Sequence, residues 1–97
     1  MSAYIIAYVD VTDAAQYEEY KKFSSLAIQK YGARICVRGG AVEVLEGEWV
    51  PERVVVLEFK DMDAARRYYN SPEYVQGREA RANAAHMRMI IVDGFQP

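Results

Sequence analysis

An α+β fold, one antiparallel sheet with helices packed on one of its faces, follows from two features of the sequence. Four tracts rich in β-branched and aromatic residues alternate with period two, one of them broken by a double glycine. Between the first and second, and again between the third and fourth, lie tracts with helical spacing bounded by capping and stop residues.

Residues 4–11, YIIAYVDV, read as a strand, and Asp13 followed three residues later by Gln16 has the form of a capping box that opens a helix. Tyr17, Tyr20, Ser24, Ala27, Ile28 and Tyr31 keep one face of that helix over 14–31, and Gly32 suits the left-handed residue that stops it. Residues 33–38 and 41–46 read as strand on either side of Gly39-Gly40, followed by a loop over 47–51 and a strand, RVVVLEF, over 53–59. Two mechanisms fit the double glycine, a two-residue hairpin turn or a bulge that bends one long strand, and the four-strand plan favours the bent strand. Asp61 caps a short helix to about Asn70, Ser71-Pro72 interrupts it, and a second helical segment runs from Pro72 to about Asn83. HMRMIIVD, residues 86–93, is the last strand. This order is the βαββαβ plan of a ferredoxin-like sheet.

Strand parity then divides the side chains. Ile5, Ala7 and Val9, Ile35 and Val37, Val55, Leu57 and Phe59, and Met87, Met89 and Ile91 are expected beneath the helices. The opposite face carries Tyr4, Ile6 and Tyr8, Arg34, Cys36 and Arg38, Val54, Val56 and Glu58, and His86, Arg88, Ile90 and Val92. Ile6, Val54, Val56, Ile90 and Val92 are each worth about 1.5–3 kcal/mol on full burial, so leaving them wet forgoes a sum comparable to the whole stability of a small domain. No third helix is available to cover them. A second copy of the sheet, meeting the first across a two-fold axis, is the economical cover, and a homodimer through this face is expected.

Length and composition narrow the classes further. The 97 residues suffice for one core and not two, so a single domain over 1–97 is expected. Acidic residues outnumber basic ones, 14 to 12, which leaves no positive field to hold nucleic acid. The lone Arg-Gly-Gly is followed by Glu43 and Glu46 rather than by repeated basic and aromatic residues. No apolar run nears the roughly 20 residues that span a bilayer, so no membrane partner is expected. One cysteine cannot close an intrachain disulfide and no signal-peptide pattern follows Met1, so a cytoplasmic location is expected. Paired histidines and Cys/His ligand spacing are absent, and neither a metal nor another cofactor is expected.

Tyr31-Gly32-Ala33-Arg34, Val37-Arg38-Gly39-Gly40, Val44-Leu45-Glu46-Gly47, the run from Pro51 to Phe59, and Tyr69-Asn70-Ser71-Pro72-Glu73-Tyr74 together resemble the DUF1330 family of small bacterial proteins. The similarity spans nearly the whole chain, and the order and spacing of the pieces make it specific. The resemblance implies a dimeric α/β-barrel in which two ferredoxin-like protomers join their sheets. The family's function is unknown. More distant sharers of the fold, among them muconolactone isomerase and cofactor-free antibiotic-biosynthesis monooxygenases, suggest by analogy a small, mostly apolar pocket.

Several residues are candidates for chemistry. His86, the single histidine, heads the catalytic list because imidazole titrates near neutral pH, but no Ser, Cys or Asp at a recognisable spacing completes a triad, and a structural role is the plainer reading. Cys36, between Arg34 and Arg38, is read as a small, inert buried residue. Glu58 interrupts an apolar strand and needs a partner. An Arg–Glu bridge inside the dimer is the simplest account, and the alternative is a wet cavity lined by Glu58, Arg38 and Tyr8, with arginine binding an anion and Glu58 or Tyr8 moving a proton. Tyr20, Tyr69 and Tyr74 are expected at the mouth of a pocket between helices and sheet, with Arg81 able to reach a ligand carboxylate and Arg38 a further anion ligand. The function this favours is binding or transformation of a small anionic or aromatic metabolite without metal or nucleotide. The alternative is a non-catalytic dimeric binding or assembly module. A pocket larger than a few waters, lined by converging polar groups, distinguishes the first from the second.

Overall fold

The chain runs through strand β1 (Ala3–Val11), helix α1 (Ala14–Lys30), strands β2 (Arg34–Arg38) and β3 (Arg53–Phe59), helices α2 (Met62–Tyr69) and α3 (Pro72–Ala80), and strand β4 (Ala85–Asp93). This computed structural model describes residues 2–49 and 53–95. The strands form one antiparallel sheet in the order β2-β3-β1-β4, the ferredoxin-like arrangement expected from the element order. Residues 50 and 51 of the expected loop lie outside the described residues.

Local chemistry sets the helix ends. The Asp13 carboxylate accepts from the Gln16 backbone N–H at 3.1 Å, opening α1 as expected. The return half of the capping box does not form. Gln16 Nε2 instead donates to the carbonyls of Ala80 and Ala82 at 2.9 and 2.6 Å, while the Asp13 N–H donates to the Ala84 carbonyl. Carbonyls at the end of α3 have no partner within their own helix, and Gln16 satisfies them, tying the start of α1 to the end of α3. Asp61 accepts from the Ala64 N–H at 2.8 Å and opens α2. Ser71 then serves two helices at once, donating to the Tyr68 carbonyl at 2.7 Å and accepting from the Tyr74 N–H at 3.1 Å. Helix α3 ends at Ala80, earlier than the expected limit near Asn83, which takes a left-handed φ of 66° that asparagine tolerates.

The core lies between the helices and one face of the sheet. Ile5, Ala7, Val9, Leu57 and Phe59 pack there against Tyr17, Tyr20, Ala27, Ala65, Tyr68 and Tyr74, as parity requires. Gly77 brings α3 against α1, because a Cβ there would stand 3.2 Å from the Phe23 Cβ.

Strand β2 departs from the expected pattern. Ile35 stands opposite Leu57, but Val37 stands opposite Val56 and Arg38 opposite Val55, so Cys36 is an extra, bulged residue. Because side chains alternate strictly, one extra residue exchanges the two faces for everything after it. Val37 therefore faces outward with Val56 and Ile6, and Arg38 turns beneath the helices, the reverse of the expectation for both. The double glycine is neither a hairpin turn nor the bulge. The Gly39 N–H donates to the Val54 carbonyl at 3.0 Å, and a φ of 70° there turns the chain out of the sheet. Residues 41–46, expected to be strand, join no ladder among the described residues, since β2 already runs out against the first residues of β3 at Gly39.

Replacing Ser71 by Ala removes a buried cap from the Tyr74 N–H and one of the two donors to the Tyr68 carbonyl, which keeps the Ser71 backbone N–H at 3.2 Å. A loss of about 1–2 kcal/mol in urea denaturation is expected. An unchanged midpoint would mean that α2 and α3 do not depend on this hydroxyl.

Candidate functional site

The bulge delivers Arg38 to a cavity under α1. Its apolar wall comes from the sheet and α1, including Ile5, Ile35, Leu57, Met87 and Met89, and its polar side from Tyr17, Lys21, Ser24, Arg38, Arg53 and Tyr68. The cavity holds about 30 Å³, room for no more than a few waters, and opens to solvent at one end. Arg38 is exposed at the rim and donates to the Ser25 hydroxyl at 3.2 Å. Lys21 is held by Glu18 at 2.8 Å.

Arg53 was not expected here, although its parity with Val55, Leu57 and Phe59 places it on the same inner face. Its guanidinium lies against the Gly39 turn, so close that a Cβ on Gly39 would stand 2.4 Å from Nη1 and 2.7 Å from Cζ. Gly39 thus answers two demands, the left-handed turn and room for Arg53. The Arg53 Nε is buried without a hydrogen-bond partner. Burial pushes the Tyr17 hydroxyl pKa up, and the Arg53 guanidinium beside it partly offsets that.

The tyrosines expected at a pocket mouth form a packed cluster instead. Phe59, Tyr68, Tyr74, Tyr20 and Tyr17 make a continuous chain of rings with successive centroids 5.2, 4.9, 6.0 and 5.2 Å apart. Tyr20 and Tyr74 share a hydroxyl–hydroxyl hydrogen bond of 2.8 Å, and the Tyr74 hydroxyl also lies 3.4 Å from the Met89 sulfur. Burial, first of all, raises the pKa of Tyr20, Tyr68 and Tyr74, so these hydroxyls stay protonated. Tyr69 joins the cluster 5.5 Å from Tyr74, under the Arg78 guanidinium, and borders a separate open groove along β4. Arg81, at the end of α3, stacks 5.4 Å from the Tyr20 ring with its Nε buried and without a partner. Tyr20 and Arg38 therefore border the cavity, while Tyr69, Tyr74 and Arg81 flank it through the ring cluster.

The remaining candidates occupy the outer face. Arg34, Glu58 and Tyr4 stand side by side across β2, β3 and β1. Arg34 Nε donates to Glu58 at 2.7 Å and the Tyr4 hydroxyl donates to its other oxygen at 3.3 Å. Hydrogen bonds from Ser2 and then Arg34 hold the Glu58 carboxyl below its ordinary value. The Arg–Glu bridge exists, but Arg34 makes it and within one chain. Arg38 lies across the sheet, so the alternative cavity of Glu58, Arg38 and Tyr8 does not form. Tyr8 packs edge-on to Trp49 at 4.8 Å, with Arg88 stacked 5.6 Å from the Trp49 ring. His86 is exposed, opposite Asp10 in the β1–β4 register. Cys36, expected to be buried, is instead exposed, because it is the extra residue of the bulge at the sheet edge; its sulfur lies 3.8 Å from the Arg34 carbonyl. Among the described residues no cluster of three or more His, Cys, Asp or Glu is placed to hold a metal ion, and no helix is long and apolar enough to cross a membrane.

Two outcomes test this geometry. Gly39→Ala should cost about 1–2 kcal/mol from the left-handed backbone alone and displace Arg53, whereas Gly40→Ala, with open space and no positive φ, should be near neutral in the same denaturation series. Equal effects would remove the special role of Gly39. Since the folded Glu58 pKa is depressed below 4.5, its contribution is present above that value and lost as pH falls through the folded pKa. Glu58→Gln should flatten the acid limb of stability measured from pH 7 to 3, and an unaltered limb would contradict the bridge.

The comparisons with known proteins agree with this architecture. The chain superimposes on a protein of unknown function from Rhodopseudomonas palustris with a TM-score of 0.78 at 18% identity, covering 99% of this chain and 84% of that one. SnoaB, a cofactor-independent oxygenase from Streptomyces nogalater, is similar at TM-score 0.62 and 16% identity, over 99% and 95% of the two chains. A dimeric protein of unknown function with a ferredoxin-like fold from Bacteroides fragilis is similar at TM-score 0.58 and 15% identity, over 96% of each chain. At these identities the likeness is one of fold, not of activity. Among curated proteins none matches the sequence. Residues 2–95 match the family described as Domain of unknown function (DUF1330), and the chain belongs to that family.

Proposed function

We propose that this chain is a one-domain homodimer that binds a small metabolite in the cavity under α1, using neither metal nor nucleotide. The observation that carries the reading is the lining of the cavity, an apolar wall bordered by Arg53 and Tyr17, with Arg38 at its rim. The small volume of the cavity confines recognition to a head group a few atoms across, with the rest of the molecule at the Arg38 rim. The fold likeness to a cofactor-independent oxygenase is compatible with chemistry that needs no bound group, and supports nothing finer.

The dimer rests on the outer face. Val37, Val56, Ile6 and Ile90 form one apolar row across all four strands, with Val54 and Val92 in adjoining rows. Ile90 is 50% exposed, Val37 39% and Val92 38%, so a large part of this row is wet in the single chain. A second copy of the sheet removes that surface from water, and a fold relative described as dimeric is in keeping with a homodimer.

By the size criterion set out from the sequence the cavity falls short, since about 30 Å³ is no more room than a few waters take, and this favours the second reading, a dimeric module with no small-molecule ligand; the polar lining is what favours the first. A thermal-shift screen with small carboxylates, phenols and quinones separates the two. A shift with at least one class, lost in Arg53→Gln, is expected; silence from every class would favour the module. Sedimentation should give a dimer at low micromolar concentration that Ile6→Lys or Val56→Lys converts to monomer. A stable, soluble wild-type monomer would sink the dimer.

A further inference from the structure

From the charge balance of the cavity we infer that its ligand is a monocarboxylate, its head group held by Arg38 and Arg53 and its tail carried outside the rim. This names the ligand class of the site proposed above and rests on that reading. Three cationic side chains, Lys21, Arg38 and Arg53, line the cavity, and none of the described residues lining it is a carboxylate. Lys21 is already matched by Glu18. Arg38 has a neutral hydroxyl as its hydrogen-bonding partner and Arg53 lies against a tyrosine hydroxyl with its Nε unsatisfied. Two guanidiniums thus border the cavity from adjacent strands of one face, Arg53 against the Gly39 turn and Arg38 at the rim, with no carboxylate among the described lining residues to match them.

The shape of the site selects among anions. Guanidinium presents a planar fork of N–H donors that matches the two oxygens of a carboxylate, with charge assistance that a neutral amide lacks. Tyr17 adds a neutral hydroxyl, while the Ser24 hydroxyl already donates to the Lys21 carbonyl at 3.2 Å, and Ile5, Ile35, Leu57 and Met89 make the rest of the wall apolar. A tetrahedral dianion keeps more of its hydration and needs polar groups all round it, which the apolar wall does not supply. The arrangement thus fits the head group of a small monoanion whose remainder lies outside the rim.

The test is an NMR titration of the intact protein with acetate, acetamide and inorganic phosphate at constant ionic strength, following the amides of Ser24, Ser25, Arg38 and Val55. Acetate should saturate these shifts, and acetamide, its neutral counterpart, should bind at least about tenfold more weakly, as loss of charge-assisted bonds requires. Arg53→Gln should weaken acetate by a similar factor with the dimer retained; if that variant does not fold, the acetate and acetamide comparison on the wild type decides alone. Acetamide binding as tightly as acetate would overturn the carboxylate assignment and leave the cavity reading standing. Phosphate binding more tightly than acetate would also overturn it. No shift with any of the three would overturn both.

Discussion

One extra residue in an edge strand decides what the inner face of this sheet contains. Side chains on a strand alternate without exception, so the bulge at Cys36 exchanges inside and outside for the residues that follow. It puts Val37 into the apolar outer row and Arg38 beneath α1. Without it Arg38 would stand on the outer face near the Arg34–Glu58 pair, and the cavity would keep only Arg53 as a strand-borne cation. The turn at Gly39 completes the arrangement. Only a residue without a Cβ both adopts the left-handed turn at ease and leaves the Arg53 guanidinium its place.

The rest of the inner layer is built to keep that cation pair in position. Rings from Phe59 to Tyr17 form a wall of aromatic contacts, and the hydroxyls that end inside it find one another or a sulfur rather than water. Burial keeps them protonated, so they serve as donors and not as bases. Gln16, which closes the carbonyls of α3, and Gly77, which lets α3 approach α1, hold the helical layer over the sheet. The molecule therefore separates its tasks: one face of the sheet carries the polar cavity, the other an apolar row suited to a second copy.

The extent to which this was legible in the sequence follows the range of the interactions. The four ladder strands, the three helices and their caps were legible because they depend on neighbours a few residues apart, whereas 41–46, read as strand, has no partner left on β3 among the described residues. Asp13, Asp61, Ser71 and Gly32 signal their roles with side chains or backbone that act locally, and the order of elements then restricts the sheet to a ferredoxin-like plan. The bulge was not legible, because Ile35-Cys36-Val37-Arg38 alternates acceptably in either register and only the pairing with β3 shows which residue is extra. Placement of Arg38 and the identity of the Glu58 partner failed for that one reason. Arg53 is a different case: its inner-face parity was readable, but a charged residue at a strand end reads as solvated until the Gly39 turn closes against it. Gln16 illustrates the limit of a motif, since its spacing was right and its side chain found stronger need 64 residues away.

The account stands on Arg38 facing the helices and Val37 facing away from them. Side-chain NOEs on the native protein measure that directly. Contacts from the Arg38 methylenes to the Ser25 β-protons and the Tyr68 ring, together with contacts from the Val37 methyls to Val56 and Ile6, are the predicted result. Contacts from Arg38 to Ile6 or Tyr8, with Val37 against Leu57, would contradict it and dissolve the cation pair on which the functional reading depends.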